Sequence, residues 1–127
     1  MEDSLKILVA EDEALIGQAV EDALIDAGFG VELVGCGEDA ISALDAAAGG
    51  FVALITDIRL GPGPDGWEVA RHAREADTSF PVVYVSGDSA HEHGVLGVPE
   101  SVMLQKPFAP AQIVTAVTTL LNERPAV

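Results

Sequence analysis

The chain has 127 residues and a net charge of −15, because 21 acidic residues face six Lys and Arg. This length suits one domain with one core, expected to cover residues 1–127 with its core at about 5–122. The acidic balance argues against nucleic acid and membrane surfaces as partners, since both require a basic patch. No apolar run approaches the roughly 20 residues of a membrane helix, and the start MEDSLK is acidic rather than a basic signal sequence. A soluble, cytoplasmic protein is therefore expected.

Short apolar runs alternate with helical stripes along the chain. The predicted strands are residues 6–10, 30–34, 51–55, 81–85 and 102–104. The predicted helices are residues 14–27, 66–75 and 109–122, and one further helix that begins at Glu38 and ends at Gly49 and Gly50. Strands that alternate with helices require right-handed crossovers and a parallel sheet covered on both faces. The sequence therefore predicts an α/β fold, a doubly wound (βα)5 flavodoxin-like three-layer sandwich with strand order 2-1-3-4-5.

The segment between the fourth and fifth strands does not fit a regular helix. Its sequence, SAHEHGVLGVPES, contains two glycines and a proline and lacks a sustained apolar stripe. We predict a short or irregular fourth helix whose backbone is more mobile than that of the other helices, because few apolar residues anchor it. His91 and His93 flank Glu92 there without a third ligand at suitable spacing, so they are expected to be exposed loop histidines rather than metal ligands.

Polar residues follow most of the predicted strands. Glu11 and Asp12 follow the first strand, Asp57 follows the third, Ser86 follows the fourth, and Lys106 lies just past the fifth. In the order 2-1-3-4-5 the first and third strands are neighbours, so Glu11 and Asp12 are expected beside Asp57. Three carboxylates at one edge repel each other unless a cation lies among them, and oxygen ligands with open positions for water suit Mg²⁺.

This set of residues fits phosphoryl transfer. A carboxylate such as Asp57 can attack phosphorus as a nucleophile and form an acyl phosphate. Mg²⁺ would draw charge from the phosphoryl oxygens, Lys106 would supply a second cation, and the Ser86 hydroxyl would donate a hydrogen bond. The sequence therefore predicts a phosphoryl-acceptor site at this edge of the sheet.

Five motifs occur in order along the chain: the acidic pair in LVAEDE, the Asp57 of LITDIRL, the DG at residues 65–66, the hydroxyl residue in YVSGDS, and the Lys-Pro-Phe of QKPF. In these motifs, from about residue 6 to residue 121, the chain resembles the receiver domain of two-component response regulators, the CheY-like family. Each motif is weak alone, but together they span the domain. The resemblance implies a phosphoprotein in which Asp57 accepts phosphoryl from a sensor histidine kinase or a histidine phosphotransfer protein.

The resemblance also implies roles for individual residues. The implied Mg²⁺ ligands are Glu11, Asp12, Asp57 and the backbone carbonyl of Arg59. The implied phosphoryl contacts are Ser86 and Lys106. The bond between Lys106 and Pro107 is usually cis in this family.

Four residues are candidates for switching or for tuning reaction rates. The family often has an aromatic residue three places ahead of the lysine, and Met103 stands there in this chain. Tyr84, two places before Ser86, is the other candidate switch, with a core role as the alternative. Arg59 and Asp88 each lie two residues past a site residue, so we expect them at the rim of the site. There they either tune phosphorylation and hydrolysis or are plain surface charges.

The chain reaches its last residues, NERPAV, directly after the final predicted helix. We therefore expect a stand-alone receiver domain that is a phosphoacceptor rather than an enzyme. It would signal by altered protein contacts, relay phosphoryl groups, or act as a phosphate sink. An unidentified downstream protein, or a second copy in a homodimer, is expected on the face of the fourth helix, fifth strand and fifth helix. The alternatives are a phosphorylation-independent binding module and an aspartate-nucleophile phosphatase, which needs a second aspartate where Arg59 stands.

Overall fold

A computed structural model describes residues 5–47 and 50–124. The strands are β1 Lys6–Ala10, β2 Gly30–Val34, β3 Phe51–Asp57, β4 Val82–Ser86 and β5 Val102–Gln105. The helices are α1 Ala14–Asp26, α2 Gly37–Ala47, α3 Gly66–Ala76, α4 His93–Leu96 and α5 Pro110–Glu123, with a 3-10 turn over Ala90–Glu92. The predicted end of the second helix at Gly49 lies outside the described residues. Within those residues, no helix is both long and apolar enough to span a membrane.

The five strands form one parallel sheet in the order β2-β1-β3-β4-β5. Helices α1 and α5 pack on one face of the sheet, and α2 and α3 pack on the other. The predicted doubly wound, three-layer fold is therefore confirmed. Both faces of the central strands are covered, which explains why those strands read as continuous apolar runs in the sequence.

Alternate residues of a central strand enter different cores. In β1, Leu8 and Ala10 pack with α2 and α3, whereas Ile7 and Val9 pack with α1 and α5. This alternation follows from the two-residue period of a strand. Lys6 at the start of β1 is exposed, and the next charged side chain follows the buried residues at the carboxyl end, where Glu11 stands.

The fourth helix is as short as the sequence predicted, with four residues and none of them buried. The prediction for His93, however, is wrong, because this side chain is half-buried rather than exposed. Its Nε2 lies 2.8 Å from Ser101 Oγ, and its ring meets the Tyr84 ring edge-on with centroids 5.7 Å apart. Gly97 permits this packing, since a Cβ there would lie 2.3 Å from His93 Cδ2. His91 is exposed, as predicted.

Candidate functional site

The carboxyl ends of β1 and β3 bring the predicted acidic residues together. Glu11 directly follows β1, and Asp57 is the last residue of the neighbouring β3. Carboxylate oxygens of Glu11, Asp12, Glu13 and Asp57, here called the acidic cluster, all lie within 4.8 Å of one another. Glu11 and Asp57 are buried, whereas Asp12 and Glu13 are exposed. The edge therefore holds four carboxylates where the sequence predicted three.

Lys106 reaches the acidic cluster from the residue just past β5. Its Nζ lies 2.8 Å from Glu13 Oε1, 3.1 Å from Asp57 Oδ2 and 3.2 Å from Glu11 Oε1. The peptide bond between Lys106 and Pro107 is cis, as the resemblance implies. A single ammonium thus offsets part of the negative charge of the cluster.

Burial and charge shift the ionisation of these groups. Burial, reinforced by the charge of Asp57, raises the pKa of Glu11 to about 7. Burial also raises the pKa of Asp57 above its usual value, although hydrogen bonding and the Lys106 charge oppose the shift. Burial alone would lower the pKa of Lys106, but hydrogen bonds to Glu13 and Asp57 outweigh it and raise that pKa. The edge therefore carries a fixed positive charge beside two carboxylates that hold their protons more tightly than usual.

The acidic cluster has the chemistry of a site for a hard divalent cation. It offers only oxygen donors, which Mg²⁺ and Ca²⁺ prefer. Glu11 Oε1 is buried and, among the described residues, has no hydrogen-bond partner. Lys106 Nζ lies 3.2 Å from this oxygen, but the hydrogen bond that it donates to Glu11 goes to the other carboxylate oxygen, Oε2. A buried carboxylate oxygen without a hydrogen bond is costly, and a bound cation would satisfy it.

Ser86 ends β4, and the turn that follows orients its hydroxyl group. Its Oγ accepts hydrogen bonds from the backbone N–H of Ser89 at 2.7 Å and of Asp88 at 3.2 Å. These bonds use the lone pairs of the oxygen, so the hydroxyl proton remains available to donate. In the sheet, Asp57 of β3 is paired with Val85 of the neighbouring β4, the residue directly before Ser86. Ser86 therefore lies at the same edge as the acidic cluster.

The loop between β3 and α3 is held close to Asp57. The N–H of Gly66 donates to Ile58 O at 2.8 Å, and a Cβ on Gly66 would lie 2.1 Å from the Asp57 carbonyl oxygen. The same loop contacts the start of α2, where a Cβ on Gly37 would lie 2.0 Å from Pro64 O. Only glycine fits at these two positions, so the loop is packed tightly against the strand end that carries Asp57.

Arg59 and Asp88 meet at the rim of the site. Arg59 Nε donates to the Asp88 carboxylate at 3.0 Å, and Ser89 Oγ donates to the same carboxylate at 3.0 Å. The Arg59 hydrogen bond lowers the pKa of Asp88. Both charged side chains are mostly exposed. Their ion pair links the loop after β3 to the turn after β4, and these two segments border Asp57.

The two candidate switch residues are neighbours in the sheet, since Tyr84 in β4 pairs with Met103 in β5. Tyr84 is fully buried, and its ring centroid lies 4.7 Å from that of Trp67. The Tyr84 hydroxyl accepts the backbone N–H of Val98 at 3.1 Å. Met103 is half-buried against the same core. Tyr84 thus lies in the core, which was the alternative to a switching role. A switching role for Tyr84 or Met103 stays a prediction.

Sequence reasoning missed the part that Glu13 takes in the cluster. The sequence feature that could have predicted it is the position of Glu13 in the acidic run Glu11, Asp12, Glu13, directly before the first helix. Sequence reasoning also placed Arg59 and Asp88 at the rim without pairing them. The signal there was the opposite charge of two residues at equivalent positions after neighbouring strands.

The family model for the response regulator receiver domain matches residues 7–118. A response regulator receiver protein from Sinorhizobium medicae WSM419 is 48% identical in sequence, with a TM-score of 0.92 over 96% of this chain and 98% of that chain. The receiver domain of sensor histidine kinase PA1611 from Pseudomonas aeruginosa PAO1 has the same fold, with a TM-score of 0.79 at 22% identity over 94% of this chain and 99% of that chain. Its crystal structure has a magnesium ion coordinated in the active site cleft.

Among curated proteins, the transcriptional regulatory protein CusR from Escherichia coli K12 is 34% identical over 125 residues. The match covers 97% of this chain and 54% of CusR, so the chain spans about half the length of that relative. The fold, the edge at which the polar residues meet and the family match all agree. The chain therefore belongs to the response regulator receiver domain family of two-component systems, and its structure is that of a CheY-like receiver.

Proposed function

We propose that this receiver domain accepts a phosphoryl group on Asp57 from a histidine kinase or a histidine phosphotransfer protein, in a reaction that depends on Mg²⁺. The observation that carries the proposal is the buried Asp57 carboxylate with the Lys106 ammonium 3.1 Å away and the Glu11 and Asp12 carboxylates beside it. This arrangement combines a nucleophile, a cation for phosphoryl oxygens and donors for a divalent metal ion. The magnesium ion in the PA1611 receiver domain supports the choice of metal.

In the proposed step, an Asp57 carboxylate oxygen attacks the phosphorus of a phosphohistidine. The new P–O bond forms as the P–N bond breaks, and the imidazole leaves with the electron pair. The Lys106 ammonium and the Ser86 hydroxyl proton stabilise negative charge on the phosphoryl oxygens. When bound, Mg²⁺ supplies further positive charge to these oxygens. The residues that would hold it are Glu11, Asp12, Asp57 and the backbone carbonyl of Arg59.

The ion pair of Arg59 and Asp88 is proposed to slow loss of the phosphoryl group. Hydrolysis requires a water molecule to attack phosphorus while the P–O bond to Asp57 breaks, and the ion pair joins the two segments that border this site. Asp88→Asn removes the pairing charge, so we expect a shorter half-life of the phosphorylated domain. A half-life equal to that of the wild type would contradict this role.

The domain is proposed to assist its own phosphorylation and dephosphorylation rather than to act as an enzyme on a separate substrate. An aspartate-nucleophile phosphatase needs a second aspartate two residues after the first, and Arg59 stands there. The phosphorylated domain would change its protein contacts, pass phosphoryl on, or drain it from a kinase. The proposed partner surface, also the candidate homodimer surface, is the face of α4, β5 and α5, where Val95 is largely exposed.

Intact-protein mass after incubation with acetyl phosphate, with and without Mg²⁺, tests the proposal. Asp39→Asn, an exposed position in the first turn of α2, is the matched control for Asp57→Asn. We expect a metal-dependent gain of one phosphoryl group in the wild type and the control, and none in Asp57→Asn. Labelling of Asp57→Asn at the wild-type level would place the acceptor elsewhere. No gain in any protein would favour the phosphorylation-independent binding module.

A further inference from the structure

Glu13 occupies the N-cap position of α1 without acting as a cap. Its backbone is extended there, with φ −92 and ψ 110, but its side chain makes no capping hydrogen bond. Glutamate is also not among the residues preferred at this position. Instead, its Oε1 lies 2.8 Å from Lys106 Nζ, the shortest of the three ion-pair distances of that ammonium. The Glu13 side chain thus pairs with Lys106 instead of capping its own helix.

The other two partners of Lys106 are residues that the proposed function needs for the metal. The side chains of Glu11 and Asp57 are 2% and 8% exposed, whereas that of Glu13 is 60% exposed. Lys106 Nζ lies 3.2 Å from Glu11 Oε1 and 3.1 Å from Asp57 Oδ2. A dication held by these carboxylates would repel the ammonium and compete with it for the same oxygens. Glu13 is the partner that can keep Lys106 paired while the two buried carboxylates turn to the metal.

We propose that Glu13 is a positioning residue that holds Lys106 while Glu11 and Asp57 bind Mg²⁺. This inference rests on the proposed function and adds to it a residue outside the family's acidic pair. The Lys106 backbone is anchored, since its N–H donates to Ser86 O at 2.8 Å, so the ammonium moves by side-chain rotation alone. Without Glu13, the described partners of Lys106 are the two carboxylates that the metal requires. The ammonium then competes with the metal.

A double-mutant cycle in Mg²⁺ affinity, measured by isothermal titration calorimetry, tests this role. The proteins are the wild type, Glu13→Gln, Lys106→Ala and the double variant. Glu38→Gln is the control, because it removes the same charge at an exposed site in the first turn of α2. We expect Glu13→Gln to weaken Mg²⁺ binding by about fivefold when Lys106 is present, and by less than about twofold when it is replaced by alanine. The control should change the affinity by less than about twofold.

Two results would overturn the inference. An equal loss of affinity in both backgrounds would mean that Glu13 acts as a plain charge or as a direct metal ligand, and no loss in either would mean that Lys106 does not need it. Glu13→Ala repeats the cycle without the amide group of glutamine, and circular dichroism shows that each variant is folded. A wild-type protein that binds no Mg²⁺ would overturn the proposed function as well. If the wild type binds Mg²⁺ but the effect of Glu13→Gln does not depend on Lys106, only this inference is overturned.

Discussion

Helices α3 and α4 both contact Tyr84, but the chain anchors them very differently. Helix α3 has 11 residues, five of them buried, and begins with a capping box between Asp65 and Glu68. Helix α4 has four residues, no side-chain cap and no buried residue. The ring centroid of Trp67 in α3 lies 4.7 Å from that of Tyr84, and that of His93 in α4 lies 5.7 Å away. One tyrosine thus joins a well-anchored helix to a weakly anchored one.

The difference matters because each helix follows a segment that borders Asp57. The loop before α3 is packed tightly against the end of β3 at Gly66. The segment before α4 starts after Ser86 and contains Asp88. A segment with few buried contacts opens locally at a low cost in free energy. We therefore expect a change at Asp57, such as phosphorylation, to alter the conformation of α4 rather than that of α3. Amide hydrogen exchange that is faster in α3 than in α4 would contradict this view.

The largest expected effect comes from Trp67→Ala, which removes the anchor of α3. Trp67 is 4% exposed, and its ring packs on Tyr84. Truncation of a buried tryptophan costs about 3–5 kcal/mol, so the free energy of unfolding should fall by that amount. Urea denaturation followed by circular dichroism measures it. A cost below about 1 kcal/mol would show that this ring does not anchor the helix.

A change of pH separates the contribution of charge to stability from that of packing. It alters the protonation of the acidic cluster but leaves the packing of α3 intact. The folded state raises the pKa of Glu11 from 4.5 to about 7 by burial and by the charge of Asp57. The folded form therefore binds this proton more tightly, and the resulting stability is present below about pH 4.5 and is lost as the pH rises through about 7. Without metal, the melting temperature should fall over this range by roughly 10 °C more in the wild type than in Glu11→Gln.

Differential scanning calorimetry at about pH 5 and about pH 8 measures this dependence. A Mg²⁺ ion held by Glu11, as proposed, would compete with the proton for this carboxylate, so the metal should raise the melting temperature more at the higher pH. Equal pH dependence in the wild type and Glu11→Gln would contradict the assigned pKa shift. No Mg²⁺ effect at either pH would count against the metal site.

A smaller effect is expected from Tyr84→Phe, which removes the hydroxyl group that accepts from Val98, just after α4, and keeps the ring against both Trp67 and His93. The Val98 N–H loses its acceptor, and an unsatisfied buried donor costs about 1–2 kcal/mol. Hydrogen exchange should accelerate at Val98 and through α4, while the amides of α3 keep their protection. Equal acceleration in both helices would mean that the hydroxyl group supports the whole core rather than the weakly anchored helix.

The smallest effect is expected from Val95→Ala on the surface of α4. Val95 is 86% exposed, and substitutions at such surface sites change the free energy of unfolding by no more than about 0.5 kcal/mol. The same denaturation assay measures the free energy of unfolding. A loss above about 1 kcal/mol would show that α4 is anchored through this residue, and the contrast with α3 would disappear.

Much of this architecture could be predicted from local patterns. The apolar run from Ile7 to Ala10 ends at Glu11, and that from Phe51 ends near Asp57, so both strand ends are visible as changes of polarity. The short fourth helix was readable from its glycines and proline. His93 was not, because its burial depends on Tyr84 in another strand and on the space left by Gly97. The pairing of Glu13 with Lys106 joins residues 93 positions apart, beyond the reach of any local pattern.

The sequence by itself determined the strands and helices, their order in the sheet, and the edge at which Glu11, Asp12 and Asp57 meet. The tertiary structure alone decided which charges pair there: Lys106 lies nearest to Glu13, and Arg59 pairs with Asp88. The physical reason is a difference in range. Hydrophobic periodicity is a property of neighbouring residues, whereas the strength of an ion pair depends on distance and burial, which are set by the packing of elements far apart in the chain.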